Sequence, residues 1–230
     1  MINRHVARSL SALLVTAGFL LFASLASAQQ SSAAQITRLK NAVVIVTTYD
    51  NNGRALLQGS GFFIDSDQIA TNFHVVKNAS QVRVETFNGL ISPVTTILAT
   101  DEKSDLAVMR LAVPVPESTI LSLKTAPPTE GDSITVISNP QGSHWQVTSG
   151  STGLLWEFKG LGERLQITAG ISPGSSGAPV IDAEGKVVGI ASMYFNSIES
   201  LSFAVPVARL QALQLKALNV PARVTGPTLD

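Results

Sequence analysis

From residue 43 to residue 205 the chain is cut into short apolar runs rich in valine, isoleucine and threonine, most of them closed by a turn signal. β-Branched side chains fit a pleated surface and crowd a helix, so these runs read as strands. Val43-Val44-Ile45-Val46-Thr47-Thr48-Tyr49 is the first. Asp50-Asn51-Asn52-Gly53 turns the chain, and residues 56–64 return as the second arm of a hairpin, with Gly59 and Gly61 where backbones can approach closely. Residues 81–86, 91–99, 106–111, 133–137, 146–148, 154–158, 164–168, 179–181, 186–194 and 201–205 follow as further strands. Asn88-Gly89, Pro127-Pro128, Glu130-Gly131-Asp132, Asn139-Pro140, Gly160 and Glu184-Gly185 punctuate them. Many short strands between frequent turns predict an all-β sandwich or barrel. The proline-bearing stretch 111–128 is where two halves would join, leaving a cleft between them. Residues 207–218 alone have good helical composition and spacing, with Pro206 suited to the first turn and Pro221 just past the end.

The N-terminus follows other rules. Arg4 and Arg8 precede an apolar stretch from Leu10 to Leu25, and Ala26-Ser27-Ala28 is a small-residue cleavage site. Residues 1–28 therefore read as a signal peptide, with an uncleaved anchor helix as the alternative. The mature chain is expected to be exported, to the periplasm or the cell exterior. It divides into an N-terminal segment (29–42, with a short helix over 35–42), one domain (43–218) and a tail (219–230). No later run is apolar and long enough to span a bilayer, so no membrane contact is expected after cleavage. Removing the leader takes two of the 16 bases and none of the 16 acids, which leaves a charge of about −2. Without a basic stripe, nucleic-acid binding has no electrostatic support. The absence of cysteine excludes disulfides, thiolate zinc sites, a cysteine nucleophile and a lipidated N-terminal cysteine. Asp65 and Asp67 read as a solvated turn, and neither a metal site nor a cofactor is expected.

Three residues could carry chemistry together. Once the leader is removed, His74 and His144 are the only imidazoles. His74 lies in Ile69-Ala70-Thr71-Asn72-Phe73-His74-Val75-Val76, where a strand gives way to a polar turn. Asp105 stands directly before the apolar run Leu106-Ala107-Val108-Met109. It reads either as a turn residue or as a buried carboxylate that orients an imidazole. Ser176 lies in Ser172-Pro173-Gly174-Ser175-Ser176-Gly177-Ala178-Pro179. A serine hydroxyl needs a base to take its proton, and donors nearby for the oxyanion. Gly174 allows the backbone to turn its N–H groups toward one point. The order His, Asp, Ser is that of the chymotrypsin type, and the strand after Pro179 excludes the strand–helix elbow of the α/β-hydrolases. Ser175 is the rival nucleophile and His144 the rival base.

These motifs together resemble the trypsin-like serine proteases of the Deg/HtrA type. Gly59-Ser60-Gly61-Phe62-Phe63-Ile64 resembles the family's first glycine-rich strand, Thr71–Val76 its histidine motif and Ser104–Val108 its aspartate motif. Ser138-Asn139-Pro140-Gln141-Gly142 with Val147-Thr148-Ser149-Gly150, Gly174–Pro179, and Ser202-Phe203-Ala204-Val205-Pro206 match its later motifs in order. The resemblance implies two six-stranded antiparallel β-barrels with a C-terminal helix. Ser176 would be the nucleophile, His74 the general base and Asp105 its orienting acid, with the N–H groups of Gly174 and Ser176 forming the oxyanion hole. It also implies a primary pocket lined by Ala169, Gly170, Ile171, Ser172, Ile190, Ala191 and Ser192. That set carries no acid, so small or medium apolar side chains are expected there rather than Arg or Lys. Substrates would be exported or misfolded proteins and peptides. The family often trimerises through N-terminal segments, and residues 35–42 are the candidate here. Ser175 replaces the family's Asn or Asp, which argues against activation by a new N-terminus. Ala178 replaces a glycine, and no PDZ module is expected. The alternatives are a protease-like binding protein with an unassembled or partner-activated triad, and an esterase on the same residues.

Overall fold

The computed structural model describes residues 33–140, 143–195 and 201–218; for residues 193–195 it describes the backbone. The expected leader, its cleavage point and the C-terminal tail lie outside the described residues, as do Gln141 and Gly142. The described residues fall into two units, one ending at Arg38 and one beginning at Leu39. Helix α1, described from residue 33, runs to residue 40, two residues earlier than the expected end at 42.

The second unit holds two closed barrels. The first has strands β1 (Val43–Tyr49), β2 (Ala55–Phe63), β3 (Gln68–Thr71), β4 (Gln81–Thr86), β5 (Ile91–Asp101) and β6 (Leu106–Leu111), closed in the order β1-β2-β3-β6-β5-β4. The second has β7 (Ser133–Ser138), β8 (Gln146–Phe158), β9 (Gly162–Ile167), β10 (Pro179–Asp182), β11 (Val187–Phe195) and β12 (Leu201–Pro206), in the order β10-β11-β12-β9-β8-β7. Each neighbouring pair is antiparallel. Among the described residues of this unit two short helices follow barrel strands, α2 (Phe73–Val76) and α3 (Val207–Ala217).

Strand alternation sorts the apolar residues into three cores. Along β1, β2 and β6, Val44, Val46, Phe63, Ala107 and Met109 belong to the core of the first barrel. Their neighbours Val43, Phe62, Leu106 and Val108 belong to a second core, shared with Ile137, Ile181, Ile190 and Val205 of the other barrel and with Leu210 and Leu213 of α3. This shared core is the seam between the barrels. Ile134, Val136, Leu165, Ile167, Val180 and Ala204 form the third core, that of the second barrel. Burial on both faces explains why β1 opens on four consecutive aliphatic residues.

One sequence expectation is corrected. β8 is one 13-residue strand, where a serine- and glycine-rich stretch suggested two. Its first half pairs with β7 and its second with β9, so partners on both sides carry it through the gap. Gly150 belongs there because a β-carbon would collide with the backbone of Ala169. β3, the strand that the sequence ends before His74, is four residues long and held by β2 and β6. The stretch after β6 does join the two halves, and it binds both. Leu121 N donates to Phe63 O of the first barrel at 3.1 Å, and Lys124 N donates to Val187 O of the second at 2.9 Å.

Candidate active site

His74 stands in the first turn of α2, just past β3. The cap of that turn is unusual. Asn72 makes no side-chain cap bond and instead sends Nδ2 to Asp105 O at 2.8 Å. This bond ties the histidine turn to the loop that follows β5. Asp105 itself adopts φ 60°, a left-handed conformation that Asp tolerates better than most residues. Asp105 is thus a turn residue whose partly buried carboxylate faces the imidazole. Oδ1 accepts the backbone N–H of His74 at 2.9 Å, and Oδ2 lies 2.8 Å from His74 Nδ1. Oδ2 also accepts Ser192 Oγ at 2.8 Å. With Nδ1–H given to Asp105, the lone pair of a neutral imidazole is on Nε2. The carboxylate is 16% exposed and the imidazole 42%, so the histidine is the more open of the two.

Ser176 comes from the second barrel, in the loop before β10. Its Oγ donates to Ser192 O at 3.3 Å, and among the described residues it makes no hydrogen bond to His74. Ser192 thus touches both other parts of the site, through its carbonyl to Ser176 and its hydroxyl to Asp105. Ser175, the rival nucleophile, is 1% exposed. Its Oγ pairs with Ser138 Oγ at 3.0 Å and accepts Ser172 N at 3.2 Å. Ser176 is the partly exposed serine of the pair.

The backbone of this loop has a definite set of partners, as buried polar groups require. Ser175 N donates to Ser172 O, Gly177 N to Ala191 O and Ala178 N to Ser175 O, at 2.8, 2.8 and 3.0 Å. Ser172 N is taken by Ser175 Oγ, and Pro173 has no N–H. Among the described residues, the N–H groups of Gly174 and Ser176 are the two in this loop without a partner. Gly174 sits at φ 97° and Gly177 at φ 88°, where other residues are strained. At Gly177 a β-carbon would also strike Ser60 O and Thr71 Oγ1.

The remaining expectations sort by burial. Gly170 and Ser172 are exposed, and Ile171 is partly buried against the core of the second barrel. Ala169, Ile190 and Ala191 are fully buried, Ile190 in the seam between the barrels. Of the residues expected to line the pocket, Ser192 is the one whose side chain meets the His–Asp pair. His144 is exposed, with its ring edge-on to Trp145 at 5.8 Å, and makes no hydrogen bond around Ser176 among the described residues. Asp67 pairs with Arg110 at 3.4 Å, and no group of three metal-ligating side chains occurs among the described residues.

Two participants escaped the sequence reading. Ser60 is completely buried on β2, and its Oγ donates to Gly174 O at 2.8 Å. The glycines on either side of it were the available signal, since they mark a close approach of backbones. Arg164, on β9, is 1% exposed yet lines a cavity of about 750 Å³ with Phe73, His74, Asp105 and Ser192. It donates to Leu161 O and Glu163 O at 2.7 and 2.9 Å. Burial pushes its guanidinium below the usual range, and the charges of Asp105 and Asp101 work against that. Nothing in a strand-like sequence distinguishes such a buried arginine from a solvated one.

Comparison with known proteins bears on the family and the fold. The model of the trypsin-like peptidase domain matches residues 59–190. The anti-sigma-I factor RsgI9 of Acetivibrio thermocellus is 34% identical over 175 residues, which are 75% of this chain and 24% of that protein. A probable periplasmic serine endoprotease, DegP-like, of Hahella chejuensis is 32% identical over 157 residues, 65% of this chain and 33% of that protein. The chain therefore spans a quarter to a third of the length of these relatives. The crystal structure of the serine endoprotease from Yersinia pestis superposes with a TM-score of 0.70 at 28% identity, covering 80% of this chain and 65% of that one.

Proposed function

The chain belongs to the trypsin-like peptidase domain family, and on that premise we propose that it is a serine endopeptidase with Ser176, His74 and Asp105 as its triad. The observation that carries the proposal is the meeting at Ser192. A His–Asp pair from the first barrel and a partly exposed serine from the second are bonded to the same residue, beside two unpartnered N–H groups.

The chemistry follows from these positions. Ser176 Oγ leaves Ser192 O and attacks the carbonyl carbon of the scissile bond, while its proton passes to His74 Nε2. Asp105 holds the ring by Nδ1 and stabilises the imidazolium that forms. The carbonyl oxygen becomes an oxyanion and accepts the N–H groups of Gly174 and Ser176. Collapse breaks the C–N bond, and the proton on Nε2 goes to the leaving amine. Water, deprotonated by the same nitrogen, then releases the acyl group and restores the serine.

Export is supported by the signal-like residues 1–28 and by the likeness to a periplasmic endoprotease, and exported or misfolded proteins are the proposed substrates. The pocket residues carry no acid, which supports cleavage after small or medium apolar side chains. A peptide library cut efficiently after Arg or Lys would overturn that preference.

One observation favours a second reading, a binding protein whose triad awaits a partner: the Ser176 hydroxyl is turned to Ser192 rather than to His74. Casein digestion by residues 29–230, beside the Ser176→Ala variant, tests the enzyme. Cutting by the wild type alone, with both proteins folded, supports it. Labelling of Ser176 by a peptidyl phosphonate separates the two readings: no label on the folded wild type favours the binding protein.

A further inference from the structure

Ser60 lies on the opposite barrel from the nucleophile loop, 114 residues before Gly174 in the chain. It is completely buried, and each of its polar groups is engaged. Its N–H donates to Ser176 O at 2.8 Å, and its carbonyl accepts Thr71 Oγ1 at 2.7 Å. Its hydroxyl donates to Gly174 O at 2.8 Å and accepts Asn139 N at 2.9 Å. One residue of the first barrel thus holds two carbonyls of the nucleophile loop and one N–H at the end of β7.

A peptide unit is planar, so fixing its carbonyl fixes the N–H on its other side. Ser60 Oγ holds the carbonyl of the unit between Gly174 and Ser175, whose N–H then reaches Ser172 O at 2.8 Å. Ser60 N holds the carbonyl of the unit between Ser176 and Gly177, whose N–H reaches Ala191 O at 2.8 Å. The unit between these two carries the N–H of Ser176, and the unit before them carries the N–H of Gly174. Those are the two donors left free. Gly174, at φ 97°, has the freedom to flip its flanking peptides, and a flip would swing the carbonyl off Ser60.

We propose that Ser60 is a positioning residue for the oxyanion hole: its buried hydroxyl locks the Gly174 peptide so that the donors of Gly174 and Ser176 stay aimed at the cleft before substrate arrives. This rests on the serine peptidase reading and adds to it the means by which the loop is held. No charged group takes part in the clamp. The hole is therefore set by closure of the two barrels and needs no new N-terminus.

The test compares wild type, Ser60→Ala and a control, Thr48→Val. Thr48 is equally buried on β1, and its hydroxyl bonds Leu57 O away from the loop. For Ser60→Ala, kcat on a peptide substrate should fall about ten- to a hundredfold, with KM within about twofold, short of the loss from deleting a donor outright. Affinity for a peptidyl boronate, which forms the tetrahedral adduct, should fall in parallel. Thr48→Val should keep both values. Unchanged kcat and boronate affinity in folded Ser60→Ala overturns the proposal and leaves the peptidase reading intact. Amide resonances of Gly174 and Ser176 give a readout that needs no activity. Wild type should show one loop conformation without millisecond exchange, and Ser60→Ala should show more than one. Exchange in the wild-type loop overturns the clamp, even if Ser60→Ala does not fold. An inert wild type whose loop still loses its single conformation in Ser60→Ala removes the peptidase reading and leaves the clamp standing.

Discussion

At the scale of single residues, the site depends on which donors reach Asp105 and on which backbone positions only glycine can take. Asp105 accepts from the backbone of His74, from its imidazole and from Ser192 Oγ. Asp105→Asn keeps the shape but puts an amide donor where an acceptor is needed, which turns the imidazole to the wrong tautomer. Activity in steady-state peptide hydrolysis should fall about 10⁴-fold in kcat with the fold unchanged by circular dichroism. Gly177 is limited twice, by φ 88° and by the Ser60 carbonyl and Thr71 hydroxyl against it. Gly177→Ala should cost on the order of 2–4 kcal/mol in urea unfolding, since strain and collision add. Ala178, where the family resemblance expected a glycine, is fully buried, bonds Ser175 O through its N–H and is not among the residues with positive φ. An alanine there meets no backbone obstacle.

At the scale of elements, the stretch from β6 to β7 is less a linker than a strap. Leu123 forms a parallel bridge with Val187, and Lys124 Nζ lies 2.9 Å from Asp182 Oδ2 on β10. Burial acts to raise the Asp182 carboxyl, but the hydrogen bond and charge of Lys124 and the N–H of Lys186 overcome it and hold it below its usual range. A carboxyl depressed in the folded state stabilises fully above its unfolded value, and that contribution is lost as pH falls through the folded value. Lys124→Met removes the cation from the carboxylate, leaves it only the N–H groups of Glu184 and Lys186, and should lower stability at pH 7. In urea melts repeated down the pH scale, the gap from wild type should narrow as pH falls through the ordinary carboxylate range, where Asp182 takes up its proton in the variant while Lys124 still holds it ionised in the wild type. A gap that stays constant to pH 3 would assign the loss to packing of the lysine stem.

At the scale of the whole molecule, α3 makes the two barrels one cooperative body, because it packs on β5 and β6 of the first and on β11 and β12 of the second. Leu210 is completely buried in the shared core, and Leu210→Ala should cost about 2–5 kcal/mol. Unfolding should remain a single transition, followed by tryptophan fluorescence and by circular dichroism together. Two separated transitions would show that the barrels unfold independently. The cleft between them explains how much of the protein could be read in advance. Strand runs, turn dipeptides, the terminal helix and the order His74, Asp105, Ser176 are carried by local chemistry: side-chain alternation, β-branching and backbone freedom act over a few residues, so the chain itself encodes them. The continuity of β8 depended on partners on either side of it, which no local pattern contains. The bonds from Ser192 to Asp105 and from Ser60 to Gly174 join residues 87 and 114 positions apart. The burial of Arg164 in the cavity beside them is of the same kind. These features exist only once two barrels have closed and met, because a hydrogen bond is made within about 3 Å in space, and distance along the chain says nothing about that.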